Sequence, residues 1–124
     1  MTTFPASTSF VNILVFVKPS STKPGTYDVV TAPAVPVITE TDTVINYQIF
    51  DTDGYDIVLT GMVVKPAIND QLSPASVSVS GKMLTFSDAN TKSMTLNVTL
   101  KFKDLGIEGV EFSHDPQISN NPQT

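Results

Sequence analysis

The chain contains no cysteine, no tryptophan and no arginine, and it has a single histidine. Without cysteine there are no disulfides, no thiolate metal ligands and no cysteine nucleophile, and the redox compartment is left open. Without arginine the usual fork for phosphate and guanine edges is missing. Seven lysines stand against twelve acidic residues, a net charge of -5. Such a surface repels a polyanion, so nucleic acid is not an expected partner. One histidine and no cysteine cannot build a histidine-cysteine metal set, and no glycine-rich phosphate loop occurs. Length of apolar run is lacking too. FVNILVFV at 10–17 spans eight residues, whereas a membrane helix needs roughly 20. The start, MTTFPAST, has no positively charged n-region, so a soluble, cytoplasmic protein without membrane contact or cofactor is expected.

What remains favours a packed sheet protein. In 124 residues, 40% are hydrophobic and 15% charged, enough for one core and too few for two. The expected unit is a single β-sandwich domain over 1–124, with 115–124 as an extended C-terminal segment. Alternation carries the secondary structure. In SMTLNVTLKF at 93–102, Met94, Leu96, Val98, Leu100 and Phe102 share one face and polar residues share the other, the mark of a half-buried antiparallel strand. SVSVS at 76–80 and MLTFS at 83–87 read as a hairpin, with Val77 and Val79 facing the same core as Leu84 and Phe86. TVINYQIF at 43–50 places Ile45, Tyr47 and Ile49 together. YDIVLTGMVV at 55–64 places Tyr55, Ile57, Leu59 and Val63 together, and Asp51-Thr52-Asp53-Gly54 between them reads as a hairpin turn.

Strands are also expected at 26–31 and 108–113. Pro- and Gly-rich stretches punctuate the chain at the spacing of an all-β domain, and KPAINDQLSP at 65–74 is long enough to cross between sheets. The expectation is an all-β fold, an immunoglobulin-like Greek-key β-sandwich of seven or eight antiparallel strands, with an open barrel as the alternative. One strand departs from alternation. FVNILVFV puts Val11, Ile13, Val15 and Val17 on one face, yet Phe10, Leu14 and Phe16 flank a single Asn12 on the other. That second face needs cover from a loop of the same chain or from another subunit.

Two stretches invite chemistry. Asp51, Asp53 and Asp56 are the metal candidates, since calcium prefers several carboxylate oxygens on a tight turn. An EF-hand loop, however, needs glycine sixth and a bidentate acid twelfth, where this run has Gly54 fourth and Met62 twelfth. Ser113-His114-Asp115 looks like a catalytic triad. In an extended strand His114 projects with Val110 and Phe112, while Ser113 and Asp115 project oppositely, so nucleophile and base cannot meet. His114 is instead expected to cap the core edge, and Asp115-Pro116 to end the strand.

The stretches DTVINYQIF, GYDIVLTGMVVKP, LTFSDANT and above all HDPQISNNP resemble the small bacterial proteins of the DP-EP family, over most of residues 10–122. The resemblance implies an immunoglobulin-like β-sandwich, no established activity and no catalytic residues to carry over. The expected role is a non-enzymatic binding or assembly module, using Phe10, Leu14 and Phe16 or His114, Asp115 and Pro116 toward an unidentified protein partner or a homo-oligomer. The competing class is a hydrolase or calcium-dependent binding protein using His114 and Asp115 or the Asp51–Asp56 turn.

Overall fold

A computed structural model describes residues 8–107 and 110–122. Glu108 and Gly109 of the expected last strand, and residues 123 and 124 of the terminal segment, lie outside them. Among the described residues there are ten strands and no helix, hence none long and apolar enough to cross a membrane. The strands are β1 (Phe10–Pro19), β2 (Tyr27–Ala32), β3 (Val37–Ile38), β4 (Thr43–Asp51), β5 (Ile57–Lys65), β6 (Ser76–Val77), β7 (Met83–Asp88), β8 (Met94–Asp104), β9 (Val110–His114) and β10 (Gln117–Asn120). They form two five-stranded sheets. Sheet A runs β2-β1-β4-β7-β6, and sheet B runs β3-β10-β8-β5 with β9 also on β8.

The two inner faces supply one core. Ile13, Val15, Val17, Ile45, Tyr47, Ile49, Leu84 and Phe86 come from sheet A. Ile38, Ile57, Leu59, Leu96, Val98, Leu100, Phe102 and Ile118 come from sheet B. The packing of alternate residues from facing sheets is that of a β-sandwich. The expected seven or eight strands are ten, and they are not all antiparallel, because β1 runs parallel to β4 and β3 parallel to β10.

Three local expectations need correction. The Asp51–Gly54 turn closes no hairpin. Asp53 and Gly54 both have positive φ (54° and 83°) and Tyr55 N–H donates to Thr52 C=O at 3.0 Å, the backbone of a tight hairpin-type turn. Yet β4 lies between β1 and β7 in one sheet while β5 pairs β8 in the other, so the turn carries the chain across the sandwich. Next, Val63 faces solvent. A bulge between Leu59 and Gly61 inserts one residue and flips the parity, turning Met62 and Val64 toward the core. Tyr55 is exposed because it lies in the turn, ahead of β5.

Val77 and Val79 also miss the core. Strand β6 stops at Val77, on the sheet edge, and Val79 stands fully exposed in the turn before Gly81. That turn does something else: Gly81 C=O accepts from Leu59 N–H at 2.7 Å, and Lys82 Nζ donates to Ile57 C=O at 2.6 Å. The β6–β7 turn of sheet A is thereby tied to β5 of sheet B. Strand β9 does end at His114, as expected, yet the chain does not leave the sheet there. Leu100 pairs with His114 and Asn97 with Gln117 in one unbroken register, and Val98 N–H donates to Pro116 C=O at 2.9 Å. Pro116 forfeits only its own N–H bond, and β10 carries on into the sheet between β3 and β8.

Candidate functional site

The terminal strand alternates throughout. Val110, Phe112, His114, Pro116, Ile118 and Asn120 turn inward, and Glu111, Ser113, Asp115 and Gln117 turn outward and are exposed. Ser113 and Asp115 therefore stand on the face opposite His114. Asp115 accepts from Thr99 Oγ1 at 2.8 Å on its outer side, and among the described residues the His114 ring has no hydrogen-bond partner. His114 lines a groove of about 360 Å³ with Val29, Thr31, Val35 and Pro116, at the lateral opening between the two sheets. Burial pushes its imidazole below the usual histidine range, and the neighbouring Asp115 opposes the shift.

Further along that opening the sheets are closed by aromatics. Tyr27 of β2 stacks on Phe112 of β9 with centroids 3.8 Å apart, and Phe112 stacks on Phe102 at 5.1 Å. Tyr27 Oη donates to Asp104 Oδ2 at 2.7 Å. Burial first, then this bond and the Asp104 charge, push the phenol up to about 12, so it remains a donor at any physiological pH. This is a structural clasp.

Of the three metal candidates, Asp51 and Asp53 come together and Asp56 does not join them. Asp51 Oδ1 accepts from Asp53 N–H at 2.8 Å, which fixes the turn. Both line a groove of about 260 Å³ with Asp28, Lys18, Phe16 and Val30. Among the described residues, no group of three or more ligating His, Cys, Asp or Glu side chains is placed to hold a metal ion.

The outer face of β1 is where its sequence pattern places it. Leu14 and Phe16 are half-buried, while Phe10 is 59% exposed. Phe50 of β4, 63% exposed, meets Phe16 edge-on at 5.5 Å, and Val30 of β2, opposite Phe16, is exposed as well. The lone Asn12 is the start of a polar ladder across three strands. Its Nδ2 donates to Gln48 Oε1 at 3.0 Å, its Oδ1 accepts from Asn46 Nδ2 at 2.8 Å, and Asn46 Oδ1 accepts from Thr85 Oγ1 at 2.6 Å. The face is thus a belt of amides and hydroxyl with apolar side chains at both ends.

One polar cluster was not anticipated. Asp88, Asn90, Asn120 and Gln71 are all buried at one end of the core. Asp88 Oδ1 accepts from Asn120 Nδ2 at 2.9 Å and from Asn90 N–H at 3.0 Å. Asn90 Nδ2 donates to the Ile38 and Glu40 carbonyls, and Gln71 Oε1 accepts from Thr91 N–H and Asn120 Nδ2. Three acceptors in the cluster, Asp88 Oδ2, Asn90 Oδ1 and Asn120 Oδ1, have no partner among the described residues. Burial raises the Asp88 carboxyl above its ordinary value, with the Asn120 and Asn90 bonds opposing. A sequence signal for the cluster existed: period two carries Leu84 and Phe86 on to Asp88, and Ile118 on to Asn120.

An all-β sandwich whose terminal strand is sewn into the sheet by Pro116, Ile118 and Asn120 is the class this architecture defines. A model of the DP-EP family matches residues 10–122, and the chain belongs to that family. No curated protein matches it. Two of the stretches that carry the resemblance, LTFSDANT and HDPQISNNP, meet in space through the Asn120–Asp88 bond.

Proposed function

We propose that the chain is a non-enzymatic β-sandwich module acting by binding or assembly, with the outer face of sheet A around β1 as its leading contact surface. The observation that carries this reading is the group of exposed Phe50 and Val30 beside half-buried Phe16 at one end of the face, with exposed Phe10 at the other end across the polar ladder. Apolar side chains grouped on one face mark contact sites more often than single exposed residues do. The hydrolase alternative has weaker support. A general base needs a reacting group within hydrogen-bond reach, and among the described residues the His114 ring has no hydrogen-bond partner, with Ser113 and Asp115 on the opposite face of its strand.

Affinity capture with the wild type and with the Phe16→Lys, Phe50→Lys double variant, read by mass spectrometry, tests the reading. Proteins, including further copies of the chain, should be captured by the wild type and lost with the variant. Capture that ignores both substitutions would remove this face from consideration.

A further inference from the structure

The edge of sheet B beyond β9 is open, and its chemistry selects what can close it. Pro116 C=O accepts from Val98 N–H, so the even-numbered residues of this strand direct their backbone groups at β8 and the odd-numbered ones direct theirs away. The β3 side confirms the parity: Ser119 N–H donates to Pro36 C=O at 3.0 Å and Asn121 N–H to Ile38 C=O at 2.8 Å. Pro36 has no N–H of its own, so the β3 ladder stops there. Glu111, Ser113, Asp115 and Gln117 are left with outward N–H and C=O groups that have no backbone partner among the described residues. Pro116 does not blunt this edge, because its missing N–H falls on the β8 side. A groove of about 360 Å³ lies beside it, lined by His114 to Gln117 on one side and by Ala34 and Val35 among others on the other.

We propose that two copies of this chain join along this edge, antiparallel about a two-fold axis at His114, so that sheet B of one copy continues into sheet B of the other. The proposal rests on the reading of the chain as a contact module and uses a different surface from the β1 face. The open groups themselves fix the register. Centring the axis on Ser113 sets Glu111 opposite Asp115, and centring it on Asp115 sets Asp115 opposite its own copy; like charges directly opposed are destabilising. Centring it on Phe112 leaves Asp115 and Gln117 beyond the facing open groups. Only the His114 axis matches all four, with Ser113 opposite Asp115 and Glu111 opposite Gln117. Each of these pairs exchanges two backbone bonds. A two-fold contact of this kind closes on itself and does not propagate into a fibre.

The test is sedimentation equilibrium to millimolar concentration on the full chain and four variants, three at Ser113 and Phe16→Lys, with thermal melts as a folding control. Ser113→Lys places a cation opposite Asp115 in both halves and should tighten the dimer by roughly three- to ten-fold, while Ser113→Glu should weaken it by a similar factor. Ser113→Pro removes an N–H that β8 does not use, and should abolish the dimer with β8 pairing retained. A wild type that stays monomeric throughout overturns the proposal, as does a dimer that shifts equally for Lys and Glu. A dimer indifferent to Ser113 but lost in Phe16→Lys overturns the edge pairing and leaves the β1 face standing.

Discussion

Replacing Asp88 by asparagine should leave the fold within about 1 kcal/mol of its stability at neutral pH, although Asp88 is fully buried and sits in the stretch LTFSDANT. The side chain keeps its shape and its Oδ1, so Asn90 N–H and Asn120 Nδ2 retain their acceptor. What changes is the other oxygen. Asp88 Oδ2 is an acceptor with no donor, beside two further unpartnered acceptors on Asn90 and Asn120, and an amide there replaces an acceptor by a donor. Relieving one buried unsatisfied acceptor is worth about 1–3 kcal/mol. Against this, two charge-assisted bonds become neutral ones of roughly half the strength, a loss of about 1 kcal/mol each and about 2 kcal/mol together. The balance lies within about 1 kcal/mol of zero in either direction, a change of no more than roughly 3–5 °C in Tm for a domain of this size.

The sign of the pH dependence follows from the raised Asp88 carboxyl. The folded state holds this proton more tightly than the unfolded state. Wild-type stability from this group therefore increases as pH falls through the folded pKa toward the unfolded 3.8 and is flat above the folded pKa. Asp88→Asn removes that increment, so it loses ground to the wild type as the pH is lowered. Urea unfolding of both proteins at neutral pH and at several acid values measures the difference. Asp88→Ala, which strips the acceptor from Asn90 and Asn120, should lose about 2–4 kcal/mol in the same assay. If Asp88→Asn is itself less stable than wild type by more than about 1 kcal/mol at neutral pH, the reasoning fails. The site would then require the ionised carboxylate, as a bound cation would.

Gly81→Ala should cost about 2–4 kcal/mol in the same unfolding assay, because Gly81 has φ of 75° and an added Cβ would lie 2.6 Å from Val58 Cβ; a loss under about 0.5 kcal/mol would mean that β5 yields freely to the turn. His114 has a lowered folded pKa, so the unfolded chain takes up its proton first and stability falls as pH drops below 6.5, levelling off beneath the folded value. His114→Gln should flatten that segment of the stability–pH curve, and a histidine NMR titration at or above 6.5 in the folded protein would contradict it.

The sheet content was legible from alternation because burial on one face forces a period of two. Strand β8 shows it at full length, with Leu96, Val98, Leu100 and Phe102 all buried as read. The opposed faces at Ser113, His114 and Asp115 followed from the same rule. Topology was not legible, since Asp53-Gly54 specifies a tight turn and says nothing about which sheet receives the next strand. Nor was the bulge at Thr60-Gly61, a one-residue insertion that depends on the partner strand and reverses Val63. Of the candidate surfaces, the β1 face was readable because it breaks alternation on an otherwise regular strand. The Asp88–Asn120 cluster was not anticipated because the expected strand at 83–87 stops one residue short of Asp88 and no strand is expected beyond Asp115, although a continued period of two turns both residues inward.

The unbroken register through Pro116 bears on how the molecule is made. Sheet B needs β10 between β3 and β8, and β10 brings Ile118 into the core and Asn120 to Asp88. A chain emerging from the ribosome cannot close its core until about residue 120 is out, so β1 to β8 spend their synthesis with apolar faces uncovered. Such distant pairings are slow to form and prone to aggregate while they wait. The strand that closes the core is thus among the last parts of this chain to be made, and the order of synthesis runs against the order of burial.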